Sequence, residues 1–277
     1  RPPLVLGFGG FASFPALAAA RLLGTPYALH EQNVFPGKVV RWFARGARFV
    51  AAAAAETRAH LDVPTTPIGL PVREVRVPKA EARRRLGLPE AGTVTLVMGG
   101  SQGSLVLNRA VPKAYKGLPE ALKRDLTVLH SSGPAHLEGT RAATQGLPHY
   151  RVDPSSESGL AWSAADLGLT RSRNGTLAEA AFHGVPLVMV PLPSAAENHQ
   201  LYNAQAVQEA GAGVVVEERE LDKLAGAWAR VLEPGTRGAM SARAYGRSPA
   251  GAAARLAELT LRTLHTLADG SRPLETL

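Results

Sequence analysis

Val97-Met98-Gly99-Gly100-Ser101-Gln102-Gly103-Ser104 is an apolar run that ends in a glycine-rich turn. The pattern predicts a β-strand, a tight loop and then a helix that includes Asn108. Glycines let the backbone approach a ligand closely, and the free N–H groups of a helix start attract phosphate. Ser101 and Gln102 add a hydroxyl and an amide at that point, beside Gly103. Taken alone, the segment fits an unliganded β–α turn equally well. Its weight comes from recurrence, because the same strand–loop–helix pattern runs through the chain.

Upstream, strands are predicted over residues 4–7, 27–30 and 49–55, with helices over 12–23 and 36–45. A helix over 79–86 follows. Strands come next over 93–98, 126–130, 150–152, 167–170, 187–190 and 213–216, with helices over 104–115, 176–183 and 198–210. The last stretch reads as helical, its longest element over 250–268. Short apolar strands alternating with helices indicate parallel sheets covered on both faces. Proline, glycine and charge cluster near 66–92 and mark a boundary. The fold class expected is α/β, as two Rossmann-like domains with ligands bound beyond the carboxyl ends of the strands. The expected division is 1–72 for the N-terminal domain, 73–250 for the C-terminal domain, and a helix over 251–277 returning to the first.

With 277 residues, 45% of them hydrophobic, the chain can bury two cores. No apolar run approaches the roughly 18–20 residues of a membrane span. The absence of cysteine excludes disulfides and thiolate chemistry. The net charge of +8 fits anionic substrates or an anionic membrane surface. With 5% aromatic residues and no base-stacking motif, no nucleic acid partner is expected. The chain starts Arg1-Pro2-Pro3-Leu4-Val5, at a predicted strand, so further N-terminal sequence is expected upstream.

Every candidate motif follows a predicted strand. Gly7-Phe8-Gly9-Gly10-Phe11-Ala12-Ser13 is a flexible turn into a helix, and Gly9, Gly10 and Ser13 are its candidate contacts. His30-Glu31-Gln32-Asn33 places four polar side chains after an apolar strand. Each would cost about 1–3 kcal/mol if buried without a partner, although a surface loop would hold them cheaply. Arg73 follows the rigid turn Gly69-Leu70-Pro71 and is a candidate anion clamp. In Arg171-Ser172-Arg173-Asn174-Gly175-Thr176 a strand ends in a polar turn that opens a helix carrying Glu179. A carboxylate there can accept both ribose hydroxyls while the helix start faces phosphate, or it can simply complement the helix dipole. His199 and Gln200 open a further helix. Asparagine is scarce, and Asn33, Asn108, Asn174, Asn198 and Asn203 all fall in such polar segments.

In order and spacing these motifs resemble the peptidoglycan N-acetylglucosaminyltransferase family (MurG) over residues 4–216. The His30-Glu31-Gln32-Asn33 segment, the Gly99–Ser104 loop with Asn108, and His199-Gln200 with Asn203-Ala204 are the sharpest parts. The resemblance implies a GT-B arrangement with an inter-domain cleft. It also implies inverting transfer of GlcNAc from UDP-GlcNAc to lipid I, the undecaprenyl-diphosphate-linked muramyl pentapeptide, to give lipid II. A peripheral location on the cytoplasmic face of the bacterial membrane follows, with contact to its anionic surface. Neither cofactor nor metal is implied, and no Asp-x-Asp motif is present.

Carried over position by position, Glu179 holds the ribose. Ser101, with Gln102 and Gly103, meets the diphosphate, and Arg73 lies near the nucleotide. Asn174, Gly175 and Thr176 present backbone N–H groups to sugar or phosphate. Gln200 with His199 reads the GlcNAc hydroxyls, Asn33 faces the sugar, and Gly9, Gly10 and Ser13 lie on the acceptor side. Three departures stand out. The family's first glycine-rich loop, with its proposed histidine base, would lie upstream of Arg1, which leaves His30 and Glu31, with His199, as candidate bases. The turn at Arg173 is bulkier than usual, and the uracil cradle reads Pro154-Ser155. A non-catalytic or split UDP-sugar-binding protein, a related glycolipid glycosyltransferase and a UDP-sugar epimerase are the alternative expectations.

Overall fold

A computed structural model describes residues 1–247 and 250–269, which form two units. One is built from residues 1–72 together with 250–269, and the other from residues 73–247.

The first unit contains β1 (Val5–Gly7), α1 (Gly10–Leu22), β2 (Tyr27–Glu31), α2 (Lys38–Phe43), β3 (Val50–Ala52) and β4 (Thr65–Pro67). Its strands pair in parallel in the order β1-β2-β3-β4. Leu17 and Ala20 of α1 and Val39, Val40 and Phe43 of α2 bury against Tyr27, Leu29 and Val50 of the sheet. The apolar stretch at 49–55 is a strand only over Val50–Ala52. It then turns into a 3-10 helix over Ala55–His60, because Ala, Glu, Thr and Arg there gain no second strand face to bury. β4 is absent from the sequence reading: Thr65-Thr66-Pro67 lacks apolar alternation, and its Pro67 is tolerated because β4 is an edge strand.

The second unit continues with α3 (Lys79–Leu86), β5 (Thr93–Met98), α4 (Leu105–Lys116), α5 (Glu120–Lys123), β6 (Leu126–Ser131), α6 (Leu137–Thr144), β7 (Tyr150–Asp153) and α7 (Ser158–Ala164). It closes with β8 (Leu167–Thr170), α8 (Asn174–His183), β9 (Leu187–Met189), α9 (His199–Glu209), β10 (Gly213–Val215), α10 (Leu224–Leu232) and α11 (Pro234–Tyr245). The last helix, α12 (Ala252–Ala268), belongs to the first unit, where Leu256 packs with Ala51 and Ile68. The strands of the second unit are parallel in the order β10-β9-β8-β5-β6-β7. Counted from β5, this is the doubly wound 3-2-1-4-5-6 order, with its reversal of direction between β5 and β8.

Side chains alternate along β5 and divide the core in two. Val94 and Leu96 enter a cluster around Trp162, while Val97 joins one around Trp228. Both indoles are fully buried, and Trp228 Nε1 donates to Thr95 Oγ1 at 3.1 Å. Gly168 of β8 makes room for Trp162: a Cβ there would lie 2.9 Å from the ring and 2.6 Å from Leu187. The short helix α7, which supplies Trp162, is buried along nearly its whole length and so has no amphipathic period to announce it.

At the upper edge of the sheet the loops after β5 and β6 meet backbone to backbone. Gly103 has φ +76°, and a Cβ on it would sit 1.8 Å from the Ser132 carbonyl oxygen. Asn108 of α4 ties the same corner down. Its Nδ2 donates to the Ser132 carbonyl at 2.9 Å, and its Oδ1 accepts from His130 Nε2 at 2.9 Å. With Nε2 donating, a neutral His130 accepts at Nδ1 from the Tyr150 hydroxyl at 2.9 Å, and the chain is complete. Burial agrees, pushing the His130 pKa down to about 4 and raising that of Tyr150.

Two tests follow from this corner. Gly103→Ala should lower the stability of the second unit by about 2–3 kcal/mol, seen as a drop of roughly 5–10 °C in thermal midpoint; an unchanged midpoint would contradict the close approach. For His130, the unfolded state takes up a proton near the ordinary 6.5 while the folded state resists until about 4. Stability is therefore full above that ordinary value and falls with pH through the window, by on the order of 3 kcal/mol in total. Denaturant titrations between pH 7 and 4.5 should show a clearly flatter loss in His130→Gln than in the wild type. Equal slopes would mean His130 titrates normally.

Candidate active site

The loops at the C-terminal ends of the second sheet collect most of the residues singled out from sequence. Ser101, Gln102 and Gly103 lie between β5 and α4, with Ser101 and Gln102 exposed. Ser104 is the N-cap of α4, its hydroxyl accepting from the Leu107 N–H at 3.4 Å. Asn174, Gly175 and Thr176 form the first turn of α8. Since β5 and β8 pair directly, with Met98 opposite Thr170, two helix starts sit side by side at the point where the winding reverses.

Arg171 fastens this arrangement. The residue is only 6% exposed, and its guanidinium donates from Nε to Ser104 Oγ at 3.0 Å and from one terminal nitrogen to the carbonyls of Val190 and Pro191 at 3.0 and 3.3 Å. The other terminal nitrogen pairs with Glu218 at 2.6 Å. Gln200 acts in parallel: its Oε1 accepts from the backbone N–H groups of Ser172 at 3.2 Å and Leu192 at 3.1 Å, joining the loops after β8 and β9. This oxygen, expected to read the sugar, is thus bound to backbone. His199, half-buried, has Nε2 3.7 Å from Glu197, and both Glu197 and Asn198 adopt left-handed backbone before α9 begins.

Glu179 faces a different side of the site. Its Oε2 accepts from Ser158 Oγ at 2.6 Å and from Trp162 Nε1 at 3.2 Å, while no hydrogen bond reaches Oε1 among the described residues. One carboxylate oxygen is fixed and the other is available. Ser158 opens α7 immediately after the Pro154-Ser155 segment, so this contact brings the exposed Ser155 loop toward Glu179 although β7 lies at the far edge of the sheet. The hydroxyls of Thr170 and Ser172, fully buried at the end of β8, find no hydrogen-bond partner among the described residues. Arg73 is exposed at the start of the unit.

In the first unit, Gly9 and Gly10 take left-handed backbone at the start of α1, and Ser13 Oγ donates back to their carbonyls at 2.7 and 2.9 Å. The strand expected over 27–30 runs one residue further, and His30 and Glu31 are its buried end. His30 Nε2 donates to the Gly69 carbonyl at 3.0 Å, and burial lowers its pKa against that bond. Glu31 gathers the following loop. Its Oε1 accepts from the Asn33 backbone N–H at 2.8 Å and from Asn33 Nδ2 at 3.1 Å, and its Oε2 accepts from the Gly37 N–H at 2.9 Å. Both act here as anchors for loops.

Arg171, Ser158 and Trp162 are the residues that sequence reasoning passed over. An arginine directly after the buried run Leu167–Thr170 was the visible signal for the first, while α7 gave none for the others.

Residues 94–256 match the glycosyltransferase family 28 C-terminal domain, and residues 1–52 match the family 28 N-terminal domain. A UDP-N-acetylglucosamine--N-acetylmuramyl-(pentapeptide) pyrophosphoryl-undecaprenol N-acetylglucosamine transferase of Deinococcus radiodurans is 44% identical, over 93% of this chain and 72% of the relative. The protein of the same name from Thermus thermophilus is also 44% identical, over 94% and 73%. The crystal structure of Acinetobacter baumannii MurG superposes with a TM-score of 0.80 at 26% identity, covering 94% of this chain and 73% of that one. With doubly wound parallel topology, paired helix starts and both domains of the family in order, the chain belongs to the MurG glycosyltransferases of family 28.

Proposed function

We propose that this chain transfers N-acetylglucosamine from UDP-N-acetylglucosamine to lipid I, forming lipid II for peptidoglycan, and that the loops at the C-terminal ends of β5, β8 and β9 hold the donor. The observation that carries the site assignment is the half-fixed Glu179 carboxylate beside two adjacent helix starts. In this reading the free Oε1 accepts the ribose hydroxyls, and the Ser155 loop lies along the uracil. The Ser101–Gly103 loop and the first turn of α8, over Asn174, Gly175 and Thr176, face the diphosphate. Arg73 supplies a further positive charge, and His199 borders the sugar.

The chemistry is a single displacement. The acceptor hydroxyl loses its proton to a base, and its oxygen bonds to the anomeric carbon on the face opposite the diphosphate. The bond from that carbon to the diphosphate oxygen breaks, and its electron pair leaves with UDP. Charge develops on the departing diphosphate, where oriented backbone N–H groups stabilise it without needing to reorganise. His30 and Glu31, being buried and bound to backbone, serve to position the loop that carries Asn33. Gln200 serves as a positioning residue through its two backbone contacts.

Membrane contact in this reading falls to the first unit. No described helix is long and apolar enough to cross a membrane. Phe11 is 74% exposed and Trp42 is 56% exposed, and Phe14 packs edge-on against Trp42 at 6.0 Å. Lys38, Arg45 and Arg48 lie close in sequence. Arg41 differs from the others: its guanidinium donates to the Pro36 carbonyl and lies over the Phe35 ring. An aromatic patch with a basic rim suits the cytoplasmic, anionic face of the membrane, where a lipid-linked acceptor is met.

Calorimetric titration should give selective binding of UDP-N-acetylglucosamine over UDP-glucose. Glu179→Ala should raise its dissociation constant at least ~10-fold. A wild-type chain that binds no uracil nucleotide would sink the donor-site reading. In a vesicle sedimentation assay, anionic lipid should retain more protein than neutral lipid, and the double replacement Phe11→Ser with Trp42→Ser should weaken retention roughly tenfold or more. Equal retention on both lipids removes the membrane proposal.

A further inference from the structure

Arg173 breaks two local rules at once. It is the N-cap of α8, a position that favours Ser, Thr, Asp or Asn because a short side-chain oxygen can satisfy an unpaired N–H. Its side chain makes no capping hydrogen bond. It also places a full positive charge at the positive end of a helix dipole, which is repulsive. The residue is exposed, yet its side chain does not extend away from the site. It lies along the glycine-rich loop instead: a Cβ built on Gly100 would stand 3.2 Å from one terminal guanidinium nitrogen and 3.7 Å from Arg173 Cδ. Gly100 itself holds φ +97°, so the bare backbone surface under the guanidinium is one that only glycine adopts easily.

The neighbouring carboxylates do not compensate it. Glu218 is paired with Arg171, and Glu179 is bonded to Ser158 and Trp162. No acidic partner of Arg173 exists among the described residues. A cation and two helix starts therefore converge on one point, and the buried Ser172 hydroxyl beside them has no partner among the described residues.

We infer that Arg173 is a diphosphate-binding residue, lying over the glycine-rich loop so that its guanidinium meets the sugar-linked phosphate of the nucleotide donor, which becomes the terminal phosphate of UDP, and the charge that gathers there as the glycosidic bond breaks. This deepens the donor-site reading above and rests on it. A planar guanidinium suits two oxygens of a diphosphate better than an ammonium does. The same placement explains why a bulky residue is accepted in this turn, since an anion in the site removes both local penalties.

The decisive variant is Arg173→Ser, because it improves the helix cap while deleting the charge. The experiment measures the thermal midpoint of the whole chain and, by calorimetry at low and moderate salt, its affinity for UDP and for UMP. The expected result is an unchanged or higher midpoint with UDP binding weakened ~10-fold, UMP binding changed much less, and a shallower salt dependence for UDP. Arg173→Lys should recover part of the loss, as a charge with poorer geometry. Equal UDP affinity in wild type and Arg173→Ser would overturn this inference and leave the donor site standing. Equal weakening of UDP and UMP would also overturn it, since the residue would then not be reading the terminal phosphate. A wild type that binds no UDP overturns the donor-site reading together with this one.

Discussion

The buried guanidinium of Arg171 is the constraint on which the site depends. It donates to the cap residue of α4 and to two carbonyls past β9 and forms an ion pair with Glu218, so one side chain fixes elements that follow three different strands. A charge taken out of water is expensive unless its geometry is saturated, and removing a partner from such a group costs several kcal/mol. The arrangement is therefore close to all-or-none. While Arg171 holds its acceptors, the two helix starts stay in register; without it, the loops after β5 and β9 lose their common anchor. Gln200 repeats the device with neutral groups, and the Asn108–His130–Tyr150 chain repeats it one strand further along. A site that must stabilise charge by orientation needs its dipoles fixed beforehand, and these three side chains fix them.

The parallel sheets were legible from sequence because their strands are buried on both faces and so appear as uninterrupted apolar runs between glycine-rich turns. The reversal between β5 and β8 could not be read from one dimension, but its consequence could: glycines and serines precede the helix after β5, and Ser172 with Asn174-Gly175 marks the start of the helix after β8. What escaped was whatever burial hid. Helix α7 is buried nearly all round, with no amphipathic period, and β4 is a polar edge strand with a proline. Missing α7 meant missing Ser158 and Trp162, which decide that one oxygen of Glu179 is fixed and the other free.

His30 and Glu31 illustrate the opposite case. Polar residues following an apolar strand suggest a loop that meets a ligand, and the cost of burying them was the argument for function. The structure meets most of that cost internally: His30 Nε2 finds the Gly69 carbonyl while its Nδ1 stays without a partner among the described residues, and Glu31 finds two backbone N–H groups and an amide. A buried polar group needs a partner, and sequence cannot distinguish a ligand from the chain's own backbone. The five-residue strand β2 is buried throughout, so its last two residues answer to the sheet before they answer to any substrate.

Arg171 and Arg173 sharpen that distinction, since the same residue type occurs twice within three positions and meets opposite fates. Arg171 has protein acceptors on every side, whereas Arg173 has an exposed guanidinium, a helix end that repels it and a glycine backbone beneath it. A residue whose interactions are complete within the fold explains the fold. A residue placed against local preference, with no compensating contact from the protein, points outward to what the protein binds. By that criterion the free oxygen of Glu179 and the guanidinium of Arg173 are the groups of this site that point beyond the fold. Arg171, just ahead of both in the chain, fixes the loop from which they follow.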